Sequence, residues 1–175
     1  MNASTEGMAT SKGVPLERVE QRCEDGGESI ACALAGVHYL NAESGDEKEA
    51  RFYLGEACRQ DQPVACGLLA SVHVTGDGGK RDLKTALRLY NKACSLGGAF
   101  GCVGLARMYE RGVVVRENRG KAERLYAHAC GLGDPKGCFW YAELLRDEEA
   151  DDRASVPYSR ACVGGRDDAC AILRD

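Results

Sequence analysis

Residues 94–102 read Cys94-Ser-Leu-Gly-Gly-Ala-Phe-Gly-Cys102, and this frame of two cysteines eight positions apart recurs along the chain. It returns as Cys58/Cys66, Cys130/Cys138 and Cys162/Cys170, with a first copy, Cys23/Cys32, that is one residue longer, so none of the 10 cysteines is left over. Ala57, Ala93, Ala129 and Ala161 precede the first cysteine in four copies. The third residue after that cysteine is Gly26, Asp61, Gly97, Gly133 or Gly165. That slot reads as the left-handed residue closing a helix, since Gly has no Cβ to clash and Asp is among the few others that tolerate the conformation. Each frame is therefore expected to be a helix end, a tight turn and the start of a new helix.

Outward from this stretch the copies keep register. Cys58, Cys94 and Cys130 are 36 apart, as are Cys66, Cys102 and Cys138. Such a period, with two helices per unit, signals an α-solenoid in which each hairpin buries its apolar face only against its neighbours. Helix A segments are expected near 29–41, 63–75, 99–111 and 135–146, and helix B segments near 46–60, 82–96, 118–131 and 151–163. Helix A carries Leu69, Ala70 and His73, then Leu105, Ala106 and Tyr109, then Tyr141, Ala142 and Leu145, at offsets of three, four and seven from the cysteine. Those offsets make one buried stripe. Helix B repeats Ala86 and Tyr90, Ala122 and Tyr126, and Ala154 and Tyr158. Small residues there let helices approach, and Tyr fills the groove.

At the ends of the chain, residues 1–14 are small and polar without apolar periodicity, so a disordered leader is expected before a repeat domain over 15–175. Leu16, Val19 and Cys23 share one face of a capping helix from Pro15 to Glu24, and Asp167–Asp175 repeats only the beginning of helix A. Pro157 stands where the other B helices have Leu89 and Leu125. An interior proline removes a backbone hydrogen bond and Ser155 is a competent N-cap, so this helix is expected to start late or to kink near residue 155.

The composition narrows the partners. With 23 Lys and Arg against 27 Asp and Glu, and no basic cluster, the chain lacks the electrostatic footprint of a nucleic-acid or anionic-membrane binder. Its first twenty residues lack the apolar run of a secretory signal, and no stretch is long enough to span a bilayer. Ten evenly paired cysteines favour an oxidising compartment: the periplasm or cell exterior after removal of a signal, or the mitochondrial intermembrane space. A cytosolic protein with free thiols, in which the cysteines serve as small buried residues, is the rival. The C-x7-C spacing matches neither zinc knuckles nor the C-x-x-C redox motif, so no metal and no cofactor is expected. His38, His73 and His128 sit at different repeat offsets and do not converge by symmetry.

The third unit reads Leu105-Ala-Arg-Met-Tyr109, Gly112, Lys121-Ala122 and Tyr126-Ala-His-Ala129, and the second reads Gly76-Asp-Gly78-Gly79, Lys84-Thr-Ala86 and Tyr90-Asn-Lys-Ala93. These residues resemble the Sel1-like repeats, relatives of the tetratricopeptide repeats. The cysteine frame looks like the disulfide-rich subtype of the Helicobacter cysteine-rich proteins and of a mitochondrial factor for cytochrome oxidase assembly. The resemblance implies an all-α, right-handed superhelix of helix-turn-helix repeats. Val114 departs from the pattern at the second loop glycine of unit three. From second cysteine to next first cysteine the spacings are 26, 28, 28 and 24, so the first and last hairpins have shorter loops.

On such a frame the expected bridges are Cys23–Cys32, Cys58–Cys66, Cys94–Cys102, Cys130–Cys138 and Cys162–Cys170, because cysteines one unit apart lie on hairpins about 10 Å apart, beyond disulfide reach. The resemblance also raises a β-lactamase-like or penicillin-binding activity, but no Ser-x-x-Lys, Ser-Asp-Asn or Lys-Thr-Gly is present. The expectation is a monomeric, non-enzymatic scaffold that binds a protein or extended peptide on the concave face lined by helix A. Offsets two and five from the cysteine lie off the buried stripe and nominate Leu34, Leu68, Arg107, Trp140 and Glu143, with the Phe139-Trp140-Tyr141 run as the aromatic anchor.

Overall fold

A computed structural model describes residues 15–41, 46–147 and 151–173. The expected leader, residues 42–45 and 148–150, and the last two residues of the expected C-terminal stub lie outside the described residues. Ten helices follow in order among those described: α1 (Leu16–Glu24), α2 (Ser29–Asn41), α3 (Glu47–Arg59), α4 (Pro63–Thr75), α5 (Leu83–Ser95), α6 (Ala99–Glu110), α7 (Arg119–Gly131), α8 (Pro135–Asp147), α9 (Asp151–Val163) and α10 (Asp167–Ile172). Helices α2–α3, α4–α5, α6–α7 and α8–α9 pack as hairpins, α1 packs on α2, and α10 packs on α9.

Local chemistry accounts for where the helices start and stop. Asp82 accepts hydrogen bonds from the backbone N–H groups of Lys84 and Thr85 to cap α5, and Asn118 does the same for Lys121 in α7. Pro63 opens α4, where its missing donor costs nothing. The turns between units are left-handed at Asp61, Gly97, Gly133 and Gly165, as their slot implies. In the first, longer frame the left-handed residue is Gly27 rather than Gly26, because the extra residue shifts the turn by one. Val114 takes φ +53 where Gly78 of the preceding unit has φ +66, so the loop keeps its shape despite the substitution.

The late start expected for the last B helix is not seen. Helix α9 begins at Asp151 and continues through Pro157, with no delayed start near 155. Pro157 is buried and lines a cleft with Ala127 and Tyr141. Burial of the ring against the preceding hairpin offsets part of the cost of the single missing N–H.

The core is built from small residues and tyrosines. Ala57, Ala93, Ala129 and Ala161 are fully buried. A Cβ added at Gly101 would come within 2.4 Å of the Ala93 Cβ, and one at Gly137 within 2.6 Å of the Ala129 Cβ. Each B helix thus crosses the next A helix at close range, beside the disulfide that joins them. The buried side chains form three clusters along the stack, the first around Leu54 and Cys66, the second around Tyr126 and Cys102, and the third around Tyr158 and Leu145.

Candidate functional site

Five disulfides join Cys23–Cys32, Cys58–Cys66, Cys94–Cys102, Cys130–Cys138 and Cys162–Cys170, with Cα–Cα distances of 4.3–4.8 Å. Helix A of each hairpin also touches helix A of the next, α2 with α4, α4 with α6 and α6 with α8, whereas no two successive B helices pack to that extent. The stack is therefore tighter on the A side, which becomes its inner face.

Helical periodicity puts offsets −2, +2 and +5 from the second cysteine within roughly a sixth of the helix circumference, opposite the buried stripe. Offset −2, which sequence inspection passed over, supplies Ile30, Val64 and Phe100 at 65%, 55% and 40% exposure. Offset +2 supplies Leu34, 47% exposed, and the half-buried Leu68. Three consecutive units thus present an apolar row on one face, a signal that repeating the offset count toward the helix N-terminus would have found. The Phe100 ring lies against Gly67 of the preceding A helix, where an added Cβ would sit 2.8 Å from Cδ1, and meets Tyr90 edge-on with ring centroids 6.4 Å apart.

The remaining nominated residues divide. Trp140 is half-buried, meets Phe139 edge-on at 5.3 Å and packs against both the second and third core clusters. Glu143 accepts hydrogen bonds from the Tyr158 hydroxyl and from Arg146, so its carboxylate ties α8 to α9. Arg107 instead projects to solvent at the edge of a cavity of about 220 Å³ between the second and third hairpins. Gly104 stands there in place of the larger residues of other units, since the Tyr90 ring would be 2.4 Å from any Cβ. A larger cleft, about 670 Å³, opens on the B-helix side at the Cys130–Cys138 turn, between Val156, Arg160 and Val163.

The histidines go to three separate places. His38 packs edge-on to Tyr39. His73 is half-buried near Arg51, and desolvation together with the Arg51 charge lowers its pKa against a smaller opposing pull from Asp82. His128 is brought by α7 to the bridge of the preceding unit, with its ligand nitrogen and the Cys94 and Cys102 sulfurs within 4.8 Å of one another. The C-x7-C spacing could not show this, because the imidazole comes from a third helix, α7, far along the chain from both cysteines. Both sulfurs are committed to the disulfide and offer no thiolate to a metal.

The family model of the Sel1 repeat matches residues 29–62, 63–98 and 99–134, breaking where α4 and α6 begin. No curated protein matches the chain. Among solved structures, it is similar to a Sel1 repeat protein from Oxalobacter formigenes, with TM-score 0.79 and 21% identity over 90% of this chain and 68% of that one. It is similar to c5321, a protective antigen of uropathogenic Escherichia coli with an SLR fold, at TM-score 0.77 and 19% identity, covering 90% of this chain and 35% of that one. Cysteine rich protein B of Helicobacter pylori aligns at TM-score 0.58 and 24% identity over 73% of this chain and 98% of its own. These are likenesses of fold.

Proposed function

The chain belongs to the Sel1 repeat family, and from that premise we propose that it is a peptide-binding scaffold whose A-helix face takes an extended segment of a partner protein. The repeat fold supports a role in protein interaction. The single observation that carries the finer reading is the exposed apolar row of Ile30, Leu34, Val64 and Phe100, repeated at unit spacing on the inner face. Exposed apolar residues scattered singly are ordinary, but a row in register over three units marks a binding surface. Leu68 lies within that row and Arg107 marks its C-terminal side, whereas Trp140 serves mainly to pack the seam between the second and third core clusters. Glu143 serves mainly to hold α8 against α9. Five disulfides stiffen the stack and fit an oxidising compartment. No helix among the described residues is long and apolar enough to cross a membrane.

The test is selection of peptides from a random display library on the oxidised protein, followed by amide-shift mapping. Peptides that shift α2, α4 and α6, and that lose binding on Leu34→Ser with Val64→Ser while thermal stability holds, support the reading. Shifts confined to the B helices, or binding unaffected by both substitutions, would overturn it.

A further inference from the structure

The cavity between the second and third hairpins has a chemistry that the rest of the inner face lacks. Its floor is Tyr90, Gly104 and Met108, and its rim carries Arg81, Arg107 and Arg111, all exposed, with no carboxylate in the lining. Several arginines elsewhere pair with carboxylates, Arg22 with Glu28, Arg59 with Glu56, Arg146 with Glu143 and Arg166 with Asp168. Arg81, Arg107 and Arg111 form no ion pair among the described residues. The nearby acids are already engaged. Asp82 accepts from Lys84, Thr85 and the Thr85 hydroxyl, and Glu110 accepts the Tyr126 hydroxyl at 2.9 Å. Three unmatched guanidiniums beside an apolar floor, in a chain of net charge −4, make a local positive site on an otherwise acidic molecule.

We propose that this cavity recognises an acidic side chain of the bound peptide, with an apolar neighbour on the Tyr90–Met108 floor and its carboxylate held by Arg81, Arg107 and Arg111. Guanidinium forks match a carboxylate with paired donors, which adds direction as well as strength. The cavity is too small for a folded partner and suits one or two side chains. It lies beside the apolar row, next to Phe100 through Tyr90, so one extended segment can occupy both. The partner is thereby narrowed to a peptide with apolar residues beside Asp or Glu. This inference rests on the groove reading above, which it makes more specific.

The same display library separates the two. Enriched sequences should carry Asp or Glu beside an aliphatic or aromatic residue. A synthetic enriched peptide should bind about ten- to a hundredfold more tightly than its twin with Gln for Glu, as expected for charge-assisted hydrogen bonds. Arg107→Gln with Arg111→Gln should erase that preference and its salt dependence, while the Gln twin binds the variant as it binds the parent. Enrichment without acidic residues, or equal affinity for the two twins, overturns the acidic pocket and leaves the groove standing. Failure to enrich any peptide overturns the groove itself and the pocket with it. Competition by inorganic phosphate as effective as the peptide would show a free-anion site instead, and would also overturn the proposal.

Discussion

Val114 shows how a single position can hold a conformation its side chain resists. A β-branched residue at φ +53 sits where steric repulsion between Cβ and the backbone is costly, and the equivalent Gly78 has none of it. Val114 is 44% exposed and has little packing to lose. Val114→Gly is therefore expected to stabilise the fold by about 1 kcal/mol, the relief of left-handed strain exceeding the extra chain entropy of glycine. Urea unfolding of the two proteins side by side measures this. His73 makes a second statement at this scale. Its pKa is lowered in the folded state by desolvation and then by Arg51, so the unfolded chain binds the proton more readily. The folded state accordingly keeps its full stability above the unfolded value of about 6.5 and loses some as pH falls below it. Melting temperatures between pH 7.5 and 5 should decline more steeply for the parent than for His73→Gln.

At the scale of elements, each B helix is joined to the next A helix by the same device: a buried Ala, a close crossing and a disulfide. The Cys94–Cys102 bridge closes a short loop between α5 and α6, with a sequence separation of 8. Restricting an unfolded loop of that size is worth about 2.5 kcal/mol in the chain-entropy account, and Cys94→Ala with Cys102→Ala should lose about that much in denaturant titration. Helix α9 tests the opposite balance. Pro157 interrupts its backbone hydrogen bonding yet is buried against the preceding hairpin. Pro157→Leu, the residue of the other units, restores the donor and is expected to stabilise by about 1–3 kcal/mol, with amide exchange in α9 slowed. Unchanged exchange would mean that ring packing fully offsets the missing bond.

For the whole molecule, stability is a sum of units and the interfaces between them, so a residue at a seam affects more than its own hairpin. Trp140 is such a residue, shared between the second and third core clusters. Trp140→Ala is expected to cost about 2–3 kcal/mol, less than a fully buried aromatic because part of the ring is already in water. Hydrogen exchange should rise first in α8, α9 and α10. A loss of peptide affinity with unchanged melting and exchange would instead assign the ring to the binding face. Leu34 and Val64 should behave oppositely, since both are about half exposed and lie on the inner face.

Repetition of the cysteine frame was enough to show the fold, because register is a count: the spacing of 36 and the Gly or Asp turn slots place both ends of each hairpin in one dimension. Helix A at 29–41 and 63–75 and helix B at 151–163 fall at those positions in the structure. The left-handed turn at Gly27 and the unbroken course of α9 through Pro157 were settled by tertiary packing, where loop length and a buried ring outweigh local preference. The candidate site was legible only in part. Offsets along one helix reveal a face, and so Leu34, Leu68 and Arg107 could be nominated. They do not reveal what another hairpin brings to it. Tyr90 against Gly104, Arg81 beside Arg107, Tyr158 on Glu143 and His128 at the Cys94–Cys102 bridge each join residues from different parts of the fold. Periodicity is a property of one element, whereas a binding site is made where elements meet, and only the packed chain decides which side chains share that space.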